Sequence, residues 1–131
     1  MARVILAAMM TTNDLEAFFS NGWNRHDVEL LMTFMAEDCV FESTAGPEAC
    51  GTRHAGRERV RQAFARVFEV FPDARFGDAR HFVAGDRGVS EWRFTGTTAE
   101  GKRVEVDGCD LFTFVGGKIA RKSSYFKTRT G

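Results

Sequence analysis

The sequence predicts an α+β fold, with helices first and a mostly antiparallel sheet after them. Three observations predict it. Apolar residues recur at three-to-four spacing through the first half of the chain. The second half alternates with period two, as strands do. Turn residues separate the alternating runs at Asp86-Arg-Gly88, Ala99-Glu-Gly101 and Gly116-Gly117. A run of helices followed by a run of strands is the order of an α+β fold. The 131 residues suit one domain spanning 1–131. At this length about two-thirds of the unfolded surface is buried, enough for a core and one internal pocket.

Each element follows from its residues. Residues 1–11 read as a loose tail. Their apolar run, Val4 to Met10, is too short to cross a membrane and lacks a signal-peptide cleavage pattern. Met10 is also an alternative start. Thr11 to Glu16 opens a helix, with Asn13 and Glu16 at capping-box spacing. Leu15, Phe18, Phe19, Gly22 and Trp23 share its apolar face. Asn24 to Asp27 breaks it, and Asp27 caps a second helix with the stripe Val28, Leu31, Met32, Met35. Cys39 to Glu42 reads as a short strand, and Ser43 to Ala55 as a loop. Arg57 to Phe71 is a long helix with Val60, Phe64, Val67, Phe68 and Phe71 on one side; Pro72 ends it. Strands are expected near 75–84, 88–98, 102–115 and 118–127.

Composition narrows the function classes. Eighteen basic residues balance 18 acidic ones, so no overall field draws nucleic acid. Thirteen Phe against one Tyr and two Trp suit a dry core or an apolar cavity wall. Cys39, Cys50 and Cys109 form neither a disulfide framework nor a zinc pattern, and fit a reducing cytoplasm. No metal-ligand spacing, phosphate loop or dinucleotide fingerprint is present, so no cofactor is expected.

Asp110 is the most informative residue. On its strand, Val104, Val106, Gly108, Asp110, Phe112 and Phe114 share one face. A carboxylate on an apolar face must find a partner, take a proton or line a wet cavity. A structural ion pair and a reactive acid both remain open. Gly108 leaves room for a bulge, which would shift Val104 and Val106 but not Phe112 or Phe114. On 88–98, Ser90, Trp92, Phe94 and Gly96 share a face.

The pattern resembles the nuclear-transport-factor-2-like, or SnoaL-like, superfamily, which includes the ketosteroid isomerases. Asn24-Arg-His-Asp27, Ala36-Glu-Asp-Cys-Val-Phe41, Gly56-Arg-Glu-Arg-Val60 and Asp110-Leu-Phe-Thr-Phe with Gly117-Lys-Ile119 carry the resemblance over residues 12–127. It implies a cone: a strongly curved mixed sheet wrapped around helices, with an apolar pocket at one end. It also implies a homodimer, for which Leu111 and Val115 supply apolar area on the outer sheet face. By the isomerase pattern the oxyanion-hole tyrosine falls at Phe19, the acid at Asp110 and the general base at Ser43. By the cyclase pattern the catalytic Asp falls at Ser124 and a His at Asp110.

The resemblance also turns Ala120, Lys122, Ser124 and Phe126 inward. The expected cavity is lined by Phe19, Trp23, Trp92, Phe94, Phe112 and Phe126, with Ser43, His54 and Ser124 at the ligand. Asp110 and Lys122 are its candidate catalytic pair, a base beside an electrostatic stabiliser. Lys122 pointing outward remains the alternative, since Arg121 is adjacent. His54 and His81 are further candidate bases. Two functions are expected: a cofactor-free isomerase, lyase or cyclase acting on a small apolar carbonyl compound, or a non-catalytic module holding an apolar ligand or partner protein. A membrane or nucleic-acid partner is not expected.

Overall fold

The structure, a computed structural model, describes residues 9–131. Helix α1 spans Thr12–Ala17 and runs on as a π-helical turn, Phe18–Trp23. Helix α2 spans Val28–Thr33 and α3 spans Arg57–Val70. Six strands follow the chain: β1 Met35–Glu42, β2 Arg53–Ala55, β3 Arg75–Ala84, β4 Arg87–Thr97, β5 Arg103–Val115 and β6 Lys118–Phe126. They form one sheet in the order β2-β1-β6-β5-β4-β3. Every pair is antiparallel except β1 with β6. Register shifts in the β1–β6, β3–β4 and β5–β6 pairings bend the sheet around the helices.

Local chemistry sets the helix ends. Thr11, not Asn13, caps α1: its hydroxyl accepts from the Asp14 amide, and the Asp14 carboxylate accepts from the Thr11 amide. Both residue types cap well, so spacing alone did not separate them. Residues 1–8, most of the expected tail, lie outside the described residues; Met10 is buried in the core. The first helix was expected to be α throughout. Instead Asn24 N–H donates to Phe19 O, the wider π spacing. Gly22 lets α2 approach: a Cβ there would lie 2.5 Å from Leu31 Cδ2.

Two short elements also differ from expectation. Helix α2 ends at Thr33, so Met35 opens a strand instead of closing a helical stripe. Arg57 fixes that corner by donating to Met35 O at 2.8 Å and Met32 O at 3.1 Å. Arg53–Ala55, expected as loop, pairs with β1. Asn24 then stands in for a strand at the start of β3. It accepts from Phe76 N at 2.7 Å and donates to Phe76 O at 2.9 Å.

Gly108 sits in unbroken register with Trp92 on one side and Phe126 on the other, so no bulge forms. Its role is space. A Cβ there would lie 2.5 Å from the Trp92 ring and 2.4 Å from Tyr125 O. The indole therefore occupies the place of the missing side chain. Gly108→Ala should displace Trp92 and destabilise the fold by about 1–3 kcal/mol, the usual cost of overpacking. Urea denaturation followed by tryptophan fluorescence checks this; an unchanged midpoint would refute it.

Candidate functional site

The inner sheet face and α3 enclose an apolar cavity of about 390 Å³. That is within the range of small-molecule sites. Phe76, Trp92 and Phe94 form its sheet wall. Ala63, Val67, Val70 and Phe71 form the α3 wall, because the helix turns this stripe inward. Trp23, Phe41, Lys122 and Ser124 close the deep end, where each is at most 8% exposed. Ser43, Thr44, Thr52, His54, Arg66 and Phe126 line the more exposed end.

Alternation places the charged pair. Asp110 and Ser124 are cross-strand partners, and Lys122 faces the same way two residues back on β6. Asp110 is fully buried and Lys122 is 3% exposed. The ammonium lies 3.1 Å from Asp110 Oδ1 and donates to Ser124 Oγ at 2.9 Å. Ser124 in turn donates to Asp110 Oδ1. Trp92 Nε1 donates to Asp110 Oδ2 at 3.0 Å. The carboxylate thus has three partners, which a buried charge requires. The ammonium also faces aromatic rings, at 4.7 Å from the Phe41 centroid, 5.1 Å from Trp23 and 5.7 Å from Phe64. Such contacts offset part of its lost hydration. Burial holds the Lys122 pKa below its ordinary value, while Asp110 opposes that shift.

The sequence-predicted residues divide by depth. Trp23, Ser43, His54, Trp92, Phe94, Lys122, Ser124 and Phe126 line the cavity. Phe19 and Phe112 do not, contrary to expectation. Phe19 packs on Phe18, Phe76 and His81. Phe112 packs on Phe18 and Phe114. Both face inward, but the first helix fills the space there. Asp110 also stands behind the wall, bonded to the lining residues Lys122 and Ser124. His81 bonds to Ser90 Oγ at 2.8 Å and Glu16 Oε2 at 2.9 Å, away from the lining. His26 bonds to Ala74 O and holds a turn. His54 stacks on Phe41 at the wall, and burial lowers its pKa, favouring the neutral ring. Phe41, Phe76 and the α3 wall were not singled out; their apolar periodicity was visible, but it does not separate core from lining. Among the described residues, no three His, Cys, Asp or Glu side chains converge to hold a metal ion.

A family model described as "SnoaL-like domain" matches residues 15–122. The chain belongs to the SnoaL-like family. Among solved structures it is similar to a candidate polyketide cyclase of Pseudomonas putida KT2440, with TM-score 0.80 and 21% identity over 92% of this chain and 93% of that one. It is similar to an NTF2-like protein of unknown function from Mesorhizobium loti, with TM-score 0.70 and 33% identity over 89% and 91%. A protein of ketosteroid isomerase-like fold from Catenulispora acidiphila DSM 44928, in complex with trimethylamine, gives TM-score 0.74 and 21% identity over 88% and 86%. No curated protein matches the chain. The fold of this SnoaL-like protein is α+β, a curved, open, mixed sheet of six strands with its helices on the inner side. Among the described residues no helix is long and apolar enough to cross a membrane.

Losing one member of the pair strands the other. Lys122→Met should destabilise the protein by about 3–5 kcal/mol, because Asp110 is left buried without a counter-charge. Replacing both, with Asp110→Leu added, should recover much of that loss. Paired denaturation curves test this. A Lys122→Met change within about 0.5 kcal/mol would show the ammonium to be solvated.

Proposed function

We propose that this SnoaL-like protein is a cofactor-free isomerase, lyase or cyclase acting on a small apolar carbonyl compound. One observation carries the reading: a buried ammonium at the deep end of a mostly apolar cavity, backed by a carboxylate outside it. A ligand carbonyl directed at Lys122 would gain a charged donor where negative charge develops on enolisation. Two of the three ammonium protons are engaged by Asp110 and Ser124, leaving the third for the ligand. Among the described residues Trp23 Nε1 is a buried donor with no partner, and Trp23 belongs to the same wall. A proton leaving the ligand reaches Asp110 through Ser124, whose hydroxyl lines the cavity and already donates to the carboxylate. His54, held neutral, is a second base at the wall.

A non-catalytic module binding an apolar ligand or partner protein is the second reading. Serines at 43 and 124, where the family resemblance puts general bases, favour it, as does the full hydrogen-bonding of Asp110. Solvent-deuterium exchange next to the carbonyl of a bound ketone, followed by NMR, separates the two. Ketones are chosen by native mass spectrometry of ligand mixtures. Wild-type protein should catalyse exchange. Asp110→Asn leaves Lys122 without its counter-charge and lowers stability; under conditions where it stays folded it should keep ligand uptake and slow exchange by about a hundredfold or more. Uptake without exchange, for every bound ketone, would leave the binding module.

The same reading includes a homodimer in the cytoplasm. Phe82, Val89 and Leu111 form a row across the outer face of β3, β4 and β5, with Tyr125 and Val115 nearby. Phe82, Tyr125 and Val115 are more than half exposed, an apolar area that pairing would cover. The cysteines are free, as in a reducing compartment. Light scattering should give twice the chain mass, and a Phe82→Glu variant should shift it towards the monomer. A monomeric wild type at high concentration would sink the dimer.

A further inference from the structure

We propose that Lys122 is also a nucleophile: its amine captures an aldehyde or ketone in the cavity as an imine. The proposal rests on reading the cavity as a site for carbonyl compounds.

The choice of cation is the first argument. Only four of the 18 basic side chains are lysine, and Lys102, Lys118 and Lys127 are exposed. The basic side chain that is fully buried beside a carboxylate is the fourth. Arginine makes the better structural partner for a carboxylate, being planar, bidentate and always charged. Lysine differs in being able to give up its proton and become a nucleophile. Position is the second argument. Lys122 lines the cavity, with Asp110 Oδ1 at 3.1 Å to receive that proton. Asp110 keeps two further partners, Trp92 and Ser124, once it has taken that proton. The environment is the third. Burial holds the ammonium below its ordinary pKa, with Asp110 opposing part of that shift.

The step balances within these groups. Asp110 takes one proton from Nζ. The Nζ lone pair forms a bond to the carbonyl carbon as the C=O π pair moves to oxygen, and a second Nζ proton passes to that oxygen. Asp110 returns its proton through the Ser124 hydroxyl to the resulting hydroxyl, the C–O bond breaks, and water leaves. The remaining nitrogen lone pair forms C=N. The net change is ammonium plus carbonyl to iminium plus water, with Asp110 again a carboxylate beside the cation. An iminium draws electrons from the adjacent carbon more strongly than the parent carbonyl does. Capture would therefore serve the same isomerase or lyase chemistry.

Benzaldehyde with cyanoborohydride is the probe, the hydride trapping the imine as a stable benzyl amine. The full chain is treated near neutral pH and the adduct is located by peptide mass mapping. The expected result is one dominant label on Lys122. Its excess over Lys102, Lys118 and Lys127 should be largest near neutral pH, because burial lets the Lys122 ammonium give up its proton more readily than an ordinary lysine does. Lys122→Arg should abolish this label. Benzyl alcohol, which cannot form an imine, reports on the cavity separately through ligand-observed NMR. Benzyl alcohol binding with label only on the surface lysines overturns the imine and leaves the cavity reading standing. Neither binding nor Lys122 label overturns both. If Lys122→Arg fails to fold, the wild-type label map and its pH trend still decide.

Discussion

The buried pair of Asp110 and Lys122 is the constraint on which the rest of the interior depends. Neither charge is tolerable there alone, because each has lost nearly all of its water. Asp110 therefore needs Trp92, Ser124 and Lys122 together. Trp92 can reach it only because residue 108 has no side chain. Lys122 in turn needs acceptors on one side and rings on the other, which Phe41, Trp23 and Phe64 supply from three different elements. The glycine inside a strand, the serine on the last strand and part of the aromatic excess thus have a common cause. Replacing any one of them changes the surroundings of a charge.

The pair also marks where core gives way to cavity. On β5 the residues after Asp110 on its face, Phe112 and Phe114, pack against each other, and Phe112 meets Phe18 of the π-helical turn. Before Asp110 the same face carries Gly108, covered by the Trp92 ring, and the buried Val106, and Trp92 lines the cavity. Phenylalanine fits both regions because it has no polar atom to satisfy. At the deep end charge is confined to the boundary, where the carboxylate is sealed and the ammonium is presented. This division favours a ligand that is apolar over most of its surface and polar at one end.

Much of this was legible in the sequence. Period-two alternation alone puts Asp110, Phe112 and Phe114 on one face. The family resemblance turns Lys122, Ser124 and Phe126 the same way, and the structure agrees. Alternation reports a face, however, and not a depth. Phe19 and Phe112 point inward as expected but meet other rings, whereas Phe76 and Val67 look the same in sequence and line the cavity. Which inward residue faces empty space depends on how far α1 and α3 reach, and that is a tertiary fact. The short β2 and the start of β1 at Met35 were hidden for another reason. Three residues of strand carry too little alternation to read, and Met35 fits a helical stripe as well as a strand. The parallel pairing of β1 with β6 joins strands far apart in the sequence, which alternation within one strand does not report.

Ser124 shows how one substitution can move the chemistry of a site. It stands where the cyclase pattern puts a catalytic Asp, and its cross-strand partner here is Asp110. A second carboxylate at 124 would face the first across the strand pair in a dry interior. Like charges so placed cannot both ionise at neutral pH. A serine removes that conflict and keeps the connection, because a hydroxyl can accept from Lys122 while donating to Asp110. The carboxylate is thus carried one strand over on β5, behind the wall, and the wall itself presents a hydroxyl and an ammonium. At the deep end the ligand meets those two groups first, and Asp110 is connected to the cavity only through the hydrogen bonds they make to it.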